Sequence, residues 1–325
     1  MIAFIFPGQG SQKVGMGRAF ADADPIARAT FEEADAALGP LRQDAGAQGP
    51  ALSRLCFEGP ESALTLTENT QPAILTVSVA IARVLEARGW RPDFYAGHSL
   101  GEYSAHVAAG TIAFTDAVRT VRNRGRYMQE AVPVGTGAMA AILGLDGEAV
   151  AAACADAAPD PVTGTIEVVS PANLNAPGQV VIAGTAAAVE RAGAAAKARG
   201  AKRVIPLAVS APFHCALMKP AEDRLAPELR ALAIQAPRRP VVANVDAEPK
   251  RDGAAAVEAL VRQVSGAVRW EAVVRRLASE GVRTYVEVGP GTVLAGLVRK
   301  IDRDARVASL EDPAGLDALA PLFTA

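Results

Sequence analysis

The pentapeptide Gly97-His98-Ser99-Leu100-Gly101 lies between a short apolar run at 92–96 and a helical stretch at 100–109 that stops at Gly110. A serine with glycine two places before and after it, at a strand-to-helix reversal, belongs to a sharp turn. That turn forms only if its flanks are small, and it lifts the serine oxygen above the end of a sheet. It also aims the first turn of the following helix at the same point, so the Leu100 N–H faces the place where an oxyanion would develop. The bare G-x-S-x-G string carries little weight, and the strand–turn–helix setting gives it more. The plain alternative is an ordinary turn with a capping serine.

The rest of the chain fits a parallel α/β sheet. An apolar run at 2–6 reads as a buried strand entering the glycine turn Pro7-Gly8-Gln9-Gly10, and 71–87 reads as a core helix. Thr115 reads as the N-cap of a helix running to about 131. From 138 the pattern changes: strand 138–143, helix 147–157, strands 165–169 and 179–183, helix 185–199, strand 203–207. This β-α-β-β-α-β order predicts a ferredoxin-like subdomain, residues 132–207, inserted into a larger unit, residues 1–131 and 208–325. The larger unit resumes with strand 241–245, helix 254–264, strand 284–288, helix 293–301 and strand 306–310. The expected class is α/β, with an α/β-hydrolase-like parallel sheet carrying the nucleophile elbow.

Composition enters as a filter on chemistry. Half of the 325 residues are hydrophobic, which excludes disorder, and a net charge of −2 argues against a nucleic-acid coat. No stretch is long and apolar enough to span a bilayer, and the first residues lack the pattern of a signal peptide. Cys56, Cys154 and Cys215 have no metal-ligand spacing, so free thiols in a reducing compartment and no metal site are expected. Cys215 adjoins His214, but neighbours in an extended segment point to opposite faces, which makes Cys215 a buried bystander.

The chain has three histidines, so a base for Ser99 can be sought by elimination. His98 precedes the serine and should point away from its hydroxyl. His106 lies about two turns into the next helix, as a surface or packing residue. His214 follows Ser210-Ala211-Pro212-Phe213 in a loop after a predicted strand, the usual setting for a base. The turn at residues 6–12 fails as a dinucleotide fingerprint, because Lys13 stands where a third glycine is needed and no acidic residue closes a second strand. Arg119, Arg122 and Arg126 form one solvated helix face, and Arg124 projects elsewhere. A fixed guanidinium there would take a carboxylate in a bidentate grip.

Together, Phe6-Pro7-Gly8-Gln9-Gly10-Ser11-Gln12, Gly97-His98-Ser99-Leu100-Gly101-Glu102-Tyr103, Arg124-Gly125 with Met128-Gln129, the stretch from Asn175 to Gly184, Pro212-Phe213-His214 and Val288-Gly289-Pro290-Gly291 resemble malonyl-CoA:acyl-carrier-protein transacylases. The motifs fall in that family's order over nearly the whole chain. The resemblance implies Ser99 as acylated nucleophile, His214 as general base, and the N–H groups of Gln9 and Leu100 as oxyanion hole. It implies Arg124 as partner of the malonyl carboxylate, His98 as a neighbour in the malonyl site, and the main-chain carbonyl of Gln263 as the group that orients the histidine. Leu100 and Phe213 go with malonyl in that family, Phe213 filling space that an α-methyl would need. Asn175 and Gln179 lie in a family motif without an assigned role.

The implied activity is malonyl transfer from coenzyme A to acyl carrier protein for fatty-acid synthesis, without a cofactor. It would be carried out by a free-standing, monomeric, cytoplasmic enzyme whose partners include neither nucleic acid nor membrane. Arg119/Arg122/Arg126 or Lys202/Arg203 are candidate steering charges for an acidic carrier. Service to a polyketide synthase, a serine thioesterase or hydrolase, and a non-catalytic docking module are the alternatives. The retained set of Ser99, His214 and Arg124 weighs against the last, and Arg124 against a hydrolase.

Overall fold

Residues 2–6 are apolar throughout, and alternate side chains are buried in different cores. Phe4 and Phe6 enter one apolar cluster, and Ala3 and Ile5 another. A strand covered on both faces belongs at the centre of a sheet, and the computed structural model, which describes residues 1–41, 49–133 and 135–323, places it there. In chain order the strands are β1 (Ile2–Phe6), β2 (Phe94–Gly97), β3 (Gly137–Leu143), β4 (Val169–Ala176), β5 (Gln179–Thr185), β6 (Arg203–Pro206), β7 (Val241–Val242), β8 (Pro249–Lys250), β9 (Thr284–Val288) and β10 (Arg306–Leu310). They form a six-stranded sheet, β10-β9-β1-β2-β7-β8, and a four-stranded sheet, β4-β5-β3-β6.

The large sheet is parallel except where β8 turns back on β7. Phe6 of β1 is in register with Gly97 of β2, so the loops after both strands leave the same carboxyl edge side by side. Parallel sheets bind ligands at that edge. The first glycine turn is pressed against the second loop, since a Cβ on Gly8 would lie 2.5 Å from the His98 carbonyl oxygen. The long helix Thr67–Ala87 runs beneath the site and is buried along most of its length.

The small sheet is antiparallel throughout. Its helices Gly147–Ala157 and Ala186–Ala198 pack on one face around Ile142, Val150, Val180 and Ile182. It is fastened to the large unit through β4, where Leu174 N–H donates to the Val268 carbonyl at 2.9 Å and Val268 N–H to the Ala172 carbonyl at 2.8 Å.

Several local expectations need correction. The helix expected to cap at Thr115 spans Phe114–Glu130, with Ala113 at its N-cap and no side-chain cap. The strand expected at 165–169 lies at Val169–Ala176; before it only Ile166 makes an isolated bridge, to Pro159. The strand expected at 241–245 stops at Val242, because Asn244 leaves the ladder to bond the elbow. The core helix begins four residues early, at Thr67, with Pro72 inside it. The helices Lys219–Ala231 and Trp270–Ser279 escape the sequence reading altogether. All three cysteines are free and buried.

Candidate active site

The elbow is as tight as its glycines require. Ser99 has φ 51 and ψ −107, a strained backbone for a side-chain-bearing residue. A Cβ on Gly97 would lie 2.0 Å from the Gly101 carbonyl carbon, and one on Gly101 would lie 2.0 Å from the Phe6 carbonyl oxygen. The two glycines therefore let the turn pass beside the end of β1. The strain is held by Asn244, whose Oδ1 accepts the Ser99 N–H at 2.7 Å and whose Nδ2 donates to the Gly97 carbonyl at 2.7 Å.

His214 reaches this serine from a loop after β6. Its Nε2 is 2.7 Å from Ser99 Oγ. On the far side, Nδ1 lies 3.0 Å from the Gln263 carbonyl and 3.2 Å from that of Gly266. Two carbonyls can only accept, so Nδ1 carries the proton and Nε2 presents a lone pair to the hydroxyl. Burial first, and the Arg124 charge second, push His214 down to about 3. The imidazole is accordingly neutral and able to take a proton.

Arg124 is almost wholly buried and, among the described residues, has no carboxylate in salt-bridge contact, a rare state for a guanidinium. Its Nη1 donates to Gln71 Oε1 at 2.8 Å, and its Nη2 to Gln263 Oε1 at 2.8 Å and Ser99 Oγ at 3.1 Å. The guanidinium also lies 5.4 Å from the centre of the Tyr103 ring. Neutral amides and an aromatic face orient the cation without discharging it. A buried charge held this way is poised for an anion from outside.

The remaining sequence candidates surround the same pocket, which Gln9, His98, Leu100, Phe213 and Met128 help to line. Among the described residues neither the Gln9 nor the Leu100 main-chain N–H has a protein acceptor, and Leu100 begins the helix Leu100–Ala108. His98 Nε2 meets Asn175 Oδ1 of β4 at 2.9 Å, joining the small sheet to the elbow. Gln179 instead receives Lys300 Nζ at 3.0 Å, outside the pocket. His106 is buried, bonded to Thr111, and takes the packing role among its two alternatives.

Four polar residues at the site received no role from the sequence. Gln71 and Asn173 line the pocket, and Asn244 and Glu102 lie behind it. One signal was available for Gln71: the run Thr67-Glu68-Asn69-Thr70-Gln71 puts polar side chains at the start of an otherwise apolar helix. Glu102 is buried and its carboxyl is raised to about 7 by that burial; its Oε2 receives Gln263 Nε2 at 2.8 Å and Asn244 N–H at 3.0 Å.

The fold and this constellation of serine, histidine and buried arginine define a serine acyltransferase, and the chain belongs to the family described as acyl transferase domain, whose model matches residues 3–314. A curated relative from Escherichia coli (strain K12), named malonyl CoA-acyl carrier protein transacylase, is 52% identical over 317 residues covering 97% of each chain. A solved acyl carrier protein S-malonyltransferase from Vibrio cholerae superposes with a TM-score of 0.91 at 49% identity, over 98% of this chain and 99% of that one. A malonyl-transacylase solved in complex with a holo type II polyketide-synthase acyl carrier protein superposes with a TM-score of 0.91 at 48% identity, over 99% of each chain.

Proposed function

We propose that this protein transfers a malonyl group from coenzyme A to the phosphopantetheine thiol of acyl carrier protein, supplying extender units for fatty-acid synthesis. The observation that carries the specificity is the buried Arg124 guanidinium beside Ser99 Oγ. The malonyl carboxylate docks on Arg124 and brings the thioester carbonyl over the serine. His214 Nε2 takes the hydroxyl proton as Oγ attacks, and the Gln9 and Leu100 N–H groups receive the oxyanion. The tetrahedral adduct collapses with cleavage of the C–S bond, and the coenzyme A sulfur leaves with the proton from His214. The carrier thiol then attacks the malonyl ester, giving its proton to His214, which returns it to the serine oxygen. This is ping-pong transfer on one serine. Every step is proton transfer or nucleophilic substitution by this chain's own groups, so the proposal calls on no metal or redox cofactor.

Among the described residues, main-chain carbonyls and not an acid stand behind His214. The Gln263 and Gly266 carbonyls fix the ring tautomer, which supports the orienting role given to Gln263. Phe213 and Leu100 shape the acyl end and disfavour an α-methyl, and His98 borders the malonyl site. We read residues 1–131 and 208–325 as an α/β-hydrolase-like catalytic unit, and residues 132–207 as a ferredoxin-like insertion. The order β4-β5-β3-β6 with two helices on one face supports the latter. No helix among the described residues is long and apolar enough to cross a membrane. A cytoplasmic monomer that binds neither nucleic acid nor membrane is the setting we propose.

For carrier docking both basic candidates stand: Lys202 and Arg203 are exposed, and Arg119 and Arg122 bond only the neutral oxygens of Ala37 and Asn69, which leaves their charge in place. The solved relative's polyketide carrier favours a second reading, in which the same transfer feeds a polyketide synthase. Intact-mass analysis tests the chemistry: malonyl-CoA should add one malonyl group to the protein, Ser99→Ala should remain unmodified, and a holo carrier protein should remove the group. Comparing fatty-acid and polyketide carriers in the second step separates the two pathways. Hydrolysis to free malonate at the same rate with and without carrier would instead mark a thioesterase.

A further inference from the structure

We infer that Glu102 is a positioning residue that sets acyl selectivity by fixing the orientation of the Gln263 side-chain amide beneath Arg124. The inference rests on the reading of Arg124 as the carboxylate partner. Glu102 is buried and does not line the pocket. It acts on a residue that does two jobs. The main-chain carbonyl of Gln263 holds His214, and its side-chain Oε1 holds Arg124 Nη2 at 2.8 Å.

A buried amide has a donor end and an acceptor end, and a half-turn about its last bond exchanges them. The Gln263 donor end is pinned by two acceptors. One N–H goes to the Ser99 carbonyl at 2.8 Å, and the other to Glu102 Oε2 at 2.8 Å. That same Oε2 also receives the Asn244 N–H at 3.0 Å, so it faces donors on two sides. With Nε2 held there, Oε1 is left for the guanidinium. The reverse orientation would set an NH2 group against Arg124 Nη2, donor against donor, and would offer the amide oxygen to the two acceptors. Without Glu102 the choice would be left to the Ser99 carbonyl and a long 3.5 Å contact to Asn244 Oδ1. Loss of Oε2 would also free the Asn244 main chain, whose side chain steadies the serine.

The test compares malonyl and acetyl transfer from coenzyme A to a holo carrier protein. Glu102→Ala should lower the malonyl-to-acetyl ratio of kcat/KM about tenfold, the scale of one misdirected hydrogen bond to a charged group. Glu102→Gln, which keeps an acceptor oxygen, should retain most of the ratio. Gln263→Met keeps the carbonyl beneath His214 and removes the amide, so it should lose the ratio too, and it decides the matter if Glu102→Ala does not fold. Equal losses for both acyl groups, or a Glu102→Gln ratio as poor as that of Glu102→Ala, would overturn the inference. Arg124→Ala is the control. If it leaves the ratio intact, the malonyl reading itself fails; if it abolishes the ratio while Glu102→Ala and Gln263→Met preserve it, only the present inference fails.

Discussion

The Nη2 of Arg124 stands 3.1 Å from the Oγ of Ser99, so the serine hydroxyl lies in the field of a buried cation. The same charge helps to hold His214 at about 3. An arriving carboxylate cancels much of that field, and the imidazolium then costs less to form. His214 should therefore become a stronger base when malonyl is bound. In Ser99→Ala protein, NMR titration of the His214 ring should show a higher pKa with malonyl-CoA than with acetyl-CoA. An equal response to the two ligands would remove the carboxylate as the cause.

Arg124→Ala should lower malonyl transfer by about ten- to a hundredfold, the value of hydrogen bonds to a charged group of roughly 1.5–3 kcal/mol. Acetyl transfer should persist or rise. Steady-state kcat/KM for the two donors checks it, and parallel losses would assign Arg124 to structure.

Phe213 is half-buried and lines the pocket together with Ser99 and Arg124. Phe213→Ala should improve methylmalonyl relative to malonyl transfer by about ten- to two-hundredfold, since one methyl in a fitted pocket is worth roughly 1–3 kcal/mol. Competition between the two thioesters, read by the mass of the acylated protein, gives the ratio directly.

Gly101→Ala should destabilise the fold as well as the site, because the new methyl would lie 2.0 Å from the Phe6 carbonyl oxygen of the central strand. A cost of about 1–3 kcal/mol or more is expected for such overpacking. A thermal melt unchanged from that of the parent protein would show that the elbow can shift.

Five groups shape stability against pH. Burial lowers His98, lowers His106 and His214 from 6.5 to about 3, and raises Glu102 and Glu287 from 4.5 to about 7. As pH falls from 6.5 toward 4.5 the unfolded chain takes up three histidine protons while the folded chain's excess is two carboxyl protons, so stability declines gently with falling pH. Below about 4.5 the unfolded carboxyls protonate as well, the folded chain gains no matching excess, and the decline steepens. Denaturant titrations across this range should show a shallow and then a steeper acid decline.

The sequence made the elbow legible because its backbone demands are local: two glycines at fixed spacing and a serine between an apolar run and a helix. Strands 284–288 and 306–310, and helices 147–157 and 293–301, could be read to the residue for the same reason, with clear periodicity between turn signals. Glu102 and Asn244 were not legible as a pair. Their bond joins positions 142 residues apart, and nothing near either residue announces the other. The early start of the helix at Thr67 was hidden by Pro72, which ordinarily argues against a helix interior. The strand misplaced at 165–169 shows tertiary pairing overriding composition. The segment that pairs with β5 contains Pro171, Asn173 and Asn175, all poor strand formers, and its register is irregular.

The two main-chain bonds that tie β4 to Val268 lie next to the Asn175–His98 contact, so the small sheet is clamped to the large unit immediately beside the nucleophile. Swinging the small unit away would break backbone hydrogen bonds as well as looser side-chain contacts. With this edge held, a donor or carrier thiol is expected to reach Ser99 on an arm slender and long enough to enter the existing cleft, whose lining comes from both units.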